Sequence, residues 1–244
     1  MSPGSQLSGH SARERVLQIA AADRDSGRAA DAAVLDGLAR ERQARRSTPR
    51  RIAGRLARGS LEGLAQRPRI WKYALLSTCH RVSGTPVRLQ PVLFAGPGEV
   101  VLGEGVQFGW RNSPLFYAGY CHVEVAHPDA RIEIGDRTEF NNNLMLKSEG
   151  AGIRVGRDGL FGAHIQIFDS NFHDLDPRHR RRAGSQRMAP VEIGDNVFVG
   201  MSVTILKGVT IGSDSVIGAG AVVSASVPSG VVAAGNPARV IREL

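Results

Sequence analysis

With 244 residues, 42% of them hydrophobic, the chain is long enough for one large domain or a domain with an appendage. Aromatics at 5% and 29 glycines suit an aliphatic core cornered by many tight turns. A net charge of +8 raises the question of nucleic acid, but the charge is concentrated: ten arginines lie between Arg40 and Arg69 against only Glu41 and Glu62. That stretch has no interleaved aromatics and no recognised motif, so nucleic acid is not expected as a partner. No apolar run approaches the ~20 residues of a membrane span, and the polar start MSPGSQLSGHSARER lacks the apolar core of a signal peptide, which predicts a cytoplasmic protein. Cys79 and Cys121 show no metal-type spacing and make no disulfide framework; both are read as buried thiols.

In chain order, residues 11–46 are rich in alanine, arginine, leucine and glutamate and predict one or two helices, with Leu35, Leu38 and Ala39 at helical spacing. STPR at 47–50 gives a stop, and 50–77 reads as a second, basic amphipathic stretch built on Ile52, Leu56, Leu64 and Trp71. Residues 1–85 thus form a helical, arginine-rich N-terminal segment. The arginines from 40 to 69 suit a solvated helix face packed on a neighbouring subunit, or a contact with anionic lipid at the inner face of a membrane. SGTP at 83–86 and AGPG at 95–98 then punctuate a change of period.

Beyond them the decisive pattern is a beat of six. Ile193, Val199, Ile205, Ile211, Ile217 and Val223 recur without a slip, preceded two places earlier by Val191, Val197, Val203, Val209, Ser215 and Ala221. Glycine follows four of the six, at 194, 200, 212 and 218. Residues i and i−2 share one face of a strand, so a period of six demands a corner in every repeat, and glycine tolerates the backbone angles of cornering. The same beat runs upstream through Ile134, Phe140 and Leu146, then through Val155, Phe161 and Ile167, with Leu102 and Phe108 as its start. Such a chain is a solenoid of stacked parallel strands over residues 86–244.

The run IGDNVFVGMSVTILKGVTIGSDSVIGAGAVV resembles the hexapeptide repeat of left-handed β-helix acyltransferases, and AAGNPARVIREL is similar to the close of their maltose, galactoside and xenobiotic acetyltransferase branch. The resemblance implies a mainly β fold, a left-handed parallel β-helix with an α-helical N-terminal segment. It implies a homotrimer with active sites at subunit boundaries and acetyl-CoA as acyl donor, with no metal. The acceptor it implies is a sugar or cell-surface glycan, as in bacterial polysaccharide O-acetyltransferases.

Between Ile167 and Ile193 the beat is suspended by DSNFHDLDPRHRRRAGSQRMAP, a loop over 168–190. The resemblance aligns SNFHDLDP with the branch's histidine segment and so makes His173 the general base. A neutral imidazole with a pKa near ~6.5 suits removal of a hydroxyl proton near neutrality. It puts Asn141 where an asparagine holds the acceptor, with Asn143 as substitute. Asp169 could orient the imidazole or bind a hydroxyl, although a solvated loop acid is the plainer reading. For coenzyme A the resemblance points to Gly200, Met201, Ala219 and Ser224 along a groove, and to Arg239 and Arg242 for phosphate, a role their forked donors suit. Phe198 stands where the branch usually has tryptophan, and Ala225 where a lysine often follows the last repeat; tail residues are 225–244.

Other readings compete. Asp174 and Asp176 form an Asp-x-Asp run that, with His179, could suggest a metal or nucleotide-sugar site. Some left-handed β-helices resemble γ-class carbonic anhydrases, zinc lyases that hold the metal with three histidines across a subunit boundary; His122 and His127 show a spacing those enzymes use, and His164 would complete the set here. A xenobiotic acetyltransferase and a non-catalytic scaffold complete the alternatives.

Overall fold

The beat of six becomes a three-sided prism. The computed structural model describes residues 63–181 and 187–244. Successive short strands go to successive faces, and each face is a stack of parallel strands. Face A stacks Val82–Ser83, Glu99–Leu102, Arg131–Ile134, Ile153–Val155, Val191–Ile193 and Thr210–Ile211. Face B stacks Val87–Arg88, Gln107–Phe108, Glu139–Phe140, Leu160–Phe161, Phe198–Val199, Val216–Ile217 and Val231–Ala234, closed by the antiparallel strand Arg239–Glu243. Face C stacks Val92–Ala95, Cys121–Val125, Met145–Ser148, Gln166–Phe168, Thr204–Ile205 and Val222–Val223. This is the left-handed parallel β-helix expected from the sequence.

Every residue of the beat from Ile134 to Val223 points inward and is buried, as are the partners two places earlier, and the beat begins at Leu102 and Phe108 as expected. Register keeps like over like: Phe108, Phe140 and Phe161 stack at 5.5 Å and 4.6 Å between ring centroids, giving way to Val199 and Ile217 in later coils. Each strand is too short to bury a face alone; stacking on its neighbours supplies the core.

The glycines after the beat act differently from the expectation. Gly194, Gly200, Gly212 and Gly218 do not adopt positive φ. A Cβ on Gly200 would lie 2.5 Å from the backbone nitrogen of Ala219 in the next coil, so these positions are small because coils approach closely. The left-handed turn falls two residues later, on Arg137, Asn143, Asp158, His164, Asn196, Ser202 and Asp214, with φ between 54° and 60°.

Residues 63–75 are helical, in agreement with the expected helix, whereas residues 1–62, with the helices expected over 11–46 and most of the arginine run, lie outside the described residues. Arg69 and Gln66 turn inward, donating to the carbonyl of Phe116; Arg69 also reaches that of Gly119. Tyr73 stacks on Tyr120 at 4.4 Å. The helix thus packs on residues 109–120, an insert between faces B and C. Buried Asn142 fixes that insert by accepting from Trp110 N and donating to the carbonyls of Trp110, Ser113 and Pro114. Buried Gln90 donates to those of Leu115 and Ala118.

Candidate active site

The loop that breaks the beat leaves face C after Phe168, and its neck is built by Asp169. The expectation of a solvated acid is overturned: Asp169 is 0% exposed. Its carboxylate accepts from Ser148 Oγ at 2.7 Å and from the backbone N–H groups of Glu149 (2.7 Å), Gly150 (3.3 Å) and Gly152 (2.8 Å). A polar run in the sequence hid a buried anchor because the donors come from the coil beneath. The neck is closed by an antiparallel bridge between Ser170 and Met188 and by Asn171 N donating to Arg187 O.

Above the neck, Phe172 takes a φ of 61°, its N–H held by Ser170 Oγ at 2.9 Å. His173 N donates back to Asn171 O at 2.7 Å, and the imidazole is exposed. Nδ1 lies 3.1 Å from the carbonyl oxygen of Arg180. A carbonyl can only accept, so Nδ1 is the donor, and in the neutral ring the Nε2 lone pair is then left for a substrate proton. Asp174 and Asp176 are consumed locally: Asp174 accepts from Asp176 N at 2.9 Å, and Asp176 pairs with Arg178 at 2.7 Å, which holds its carboxyl below the usual range.

Asn141 Oδ1 accepts from Asn142 N at 2.7 Å, and Asn143 is engaged with Gln90, accepting from Gln90 Nε2 and donating its own N–H to Gln90 Oε1 at 2.8 Å. All three asparagines stand at the corner where face B passes to face C, whereas the loop leaves at the opposite edge. A strand of four residues, Met145–Ser148, lies between, roughly 13 Å at the rise of an extended chain. Among the described residues no hydrogen bond joins His173 to Asn141, and the two start from opposite edges of face C.

Gly200, Met201 and Ala219 line the B–C corner in consecutive coils, with Gly220 N donating to Met201 O at 2.8 Å. Beside them an outward row on face B runs through Leu160, Phe198, Val216 and Val232 to Arg242. Phe198 is 45% and Met201 48% exposed. The side-chain bonds of Arg239 and Arg242 go to the neighbouring carbonyls of Ala238 and Glu243. Among the described residues neither meets a carboxylate, so their charge is open to an anion, unlike that of Arg137 on Asp158 or Arg157 on Asp195. Ser224 sits apart, exposed just beyond face C at the edge shared with the loop.

Sequence reasoning missed a polar network on the outside of face C. Lys147 Nζ pairs with Glu124 at 3.1 Å and Glu149 at 3.2 Å; His122 meets Glu124 at 2.9 Å and His127 meets Glu149 at 3.4 Å. Burial alone would push the Lys147 ammonium down, yet its hydrogen bonds to both carboxylates carry it above the usual lysine range. Burial likewise opposes ionisation of Glu124, but His122 and Lys147 draw it below the usual range. The zinc reading has three histidines, His122, His127 and His164, meeting across a subunit boundary. Within one chain His164 stands at the B–C corner, and among the described residues no group of three suitable side chains could hold a metal.

Residues 190–225 match the model of the bacterial transferase hexapeptide (six repeats). A Dictyostelium discoideum protein provisionally named an acetyltransferase is 41% identical over 137 residues, covering 56% of this chain and 69% of that protein. The chain belongs to the hexapeptide-repeat acetyltransferases. The galactoside O-acetyltransferase of Escherichia coli is 30% identical over 138 residues, 55% of this chain and 61% of the enzyme. A Saccharomyces cerevisiae member, also provisionally named, is 40% identical over 131 residues, covering 54% and 61%. The chain thus spans about three fifths of the length of these two relatives. A galactoside acetyltransferase solved with coenzyme A is 31% identical, with 57% of this chain and 64% of that chain covered and a TM-score of 0.42. Of the described helical segment, none is long and apolar enough to cross a membrane.

Proposed function

We propose that the protein is an acetyl-CoA-dependent O-acetyltransferase acting on a hydroxyl of a sugar or cell-surface glycan, with His173 as general base. The observation that carries the reading is the contact of His173 Nδ1 with the Arg180 carbonyl, which in the neutral imidazole turns the Nε2 lone pair to the substrate on an anchored loop of an acetyltransferase prism. In the proposed step Nε2 takes the acceptor hydroxyl proton while the oxygen attacks the thioester carbonyl. The tetrahedral intermediate then collapses, breaking the carbon–sulfur bond, and the imidazolium returns its proton to the departing coenzyme A thiolate. Balance is met with one ester formed and one thiol released.

The open charges of Arg239 and Arg242 and the apolar row through Phe198 support a donor bound along face B and the B–C corner, phosphates toward the tail. The separation of His173 from Asn141 supports a homotrimer in which one chain lends its loop to the asparagine corner of the next. Asn141, whose amide nitrogen has no bond among the described residues, is the proposed acceptor contact; Asn143 and Asp169 are read as structural, being occupied by Gln90 and by the loop neck. The acceptor class follows the named activity of the galactoside relatives.

The test is coenzyme A release from acetyl-CoA across a panel of sugars and nucleotide sugars, for the parent and His173→Ala. Acceptor-dependent release that falls by about 10² or more in the variant is expected. Release untouched by the substitution would remove His173 from the chemistry, and no release with any sugar would remove the acceptor class. Sedimentation of the full chain checks the trimer.

A further inference from the structure

The network on face C ends against the loop, and nothing in the chemistry above uses it. The Phe172 ring is held on two sides. Phe168 meets it edge-on with centroids 5.1 Å apart and planes at 81°, and Lys147 Nζ stands 5.1 Å from its centre. Phe168 and Lys147 are register partners on adjacent rungs of face C, so the clamp is part of the sheet itself. Phe172 also carries an unfavourable backbone conformation, since a bulky side chain at positive φ persists only where its surroundings impose it. That conformation reverses the chain just before His173 and sets the direction in which the imidazole leaves the neck.

We propose that Lys147 is a positioning residue for His173, acting through the ring of Phe172. The inference rests on His173 being the base. A cation within about 6 Å of a ring centre is drawn to its face, more strongly when it is partly desolvated. Lys147 meets this condition, and its pairs with Glu124 and Glu149 restrain the ammonium there. His122 and His127 in turn hold those two carboxylates. Lys147 is thus the centre of a row of five groups, a restrained cation beside the residue that aims the base. Without it the ring has one partner fewer, Phe172 can relax from positive φ, and His173 loses its alignment with the Arg180 carbonyl.

The experiment uses the full chain, acetyl-CoA and the best sugar from the panel. Lys147→Met is expected to lower kcat about ten-fold while KM for acetyl-CoA moves less than about two-fold. Lys147→Arg keeps a cation over the ring and is expected to recover kcat to within about three-fold of the parent. Phe172→Leu leaves the ammonium with its two carboxylates, so it tests the same link without stranding them. It should lose kcat similarly, and the double variant should lose no more than about what Phe172→Leu loses alone. Ring nitrogen-15 shifts of His173 give a second readout: the Nδ1–H tautomer should dominate in the parent and mix with Nε2–H in Lys147→Met. If His173→Ala abolishes turnover while Lys147→Met and Phe172→Leu keep both kcat and the tautomer, the positioning role is overturned. If His173→Ala leaves turnover intact, the base reading falls, and the tautomer shifts still decide whether Lys147 aligns the ring.

Discussion

Replacing Asp169 tests whether the loop is anchored as the structure has it. Asp169→Ala strands three backbone N–H groups, those of Glu149, Gly150 and Gly152, and the hydroxyl of Ser148. A buried donor left without a partner costs about 1–3 kcal/mol, and bonds to a charged acceptor are at the strong end. Three N–H groups would give about 3–9 kcal/mol if none relaxed. The three residues are only half-buried, so water reaches some donors, and about 3–5 kcal/mol is the expected loss. Asp169→Asn keeps the shape and one acceptor but turns an NH2 toward donors, for an expected loss of about 2–3 kcal/mol. Urea denaturation followed by circular dichroism gives the stabilities, and limited proteolysis shows whether cleavage appears first within 169–190. An Asn variant within about 0.5 kcal/mol of the parent would refute the anchor. If that variant also raised KM for the acceptor, Asp169 would be returned to substrate binding.

Asn142→Ala should free the insert over 109–120, costing about 2–4 kcal/mol through the unpaired Trp110 N–H and three carbonyls, with faster amide exchange confined to that insert. Burial pushes the Cys121 thiol up to about 12, so in a Cys79→Ser background a disulfide reagent at pH 8 should react with Cys121 only as fast as the prism opens. Glu124 has a depressed folded pKa, so its contribution is complete above the unfolded value near ~4.3 and lost as pH falls through the folded one. The difference in urea midpoint between parent and Glu124→Gln should therefore hold steady above about pH 5 and close toward pH 3; a difference that widens on acidification would contradict the pairing.

The prism was legible because its rule is local. Ile193 to Val223 repeat every six residues, each buries the same kind of side chain, and a corner must follow, so no distant residue is needed to decide the fold. What the pattern could not reveal was why a position is small. The glycines after the beat looked like hinges but serve close approach, while the left-handed angles fall two places later, mostly on residue types that tolerate them, Asn143, Asp158, His164, Asn196 and Asp214. Asp169 failed for the complementary reason. Its sequence neighbours are polar, yet its surroundings are Ser148, Gly150 and Gly152, about twenty residues away and one coil down. Asn142, Gln90 and Lys147 escaped likewise, since what each holds is a whole coil or more distant along the chain.

The candidate site divides along the same line. His173 came from a motif, and its tautomer follows from a contact only seven residues away, so that half is written locally. Asn141, at the far edge of face C, has no hydrogen bond to His173 among the described residues. Under the proposed trimer the two edges would meet across a boundary, where coil-to-coil register fixes each edge and the fit of two rigid prisms fixes their spacing. The base would then depend on its own neck for direction and on the neighbouring chain for a substrate. Weakening the clamp at Lys147 should therefore reduce turnover without dissociating the trimer, whereas weakening the boundary should remove both together.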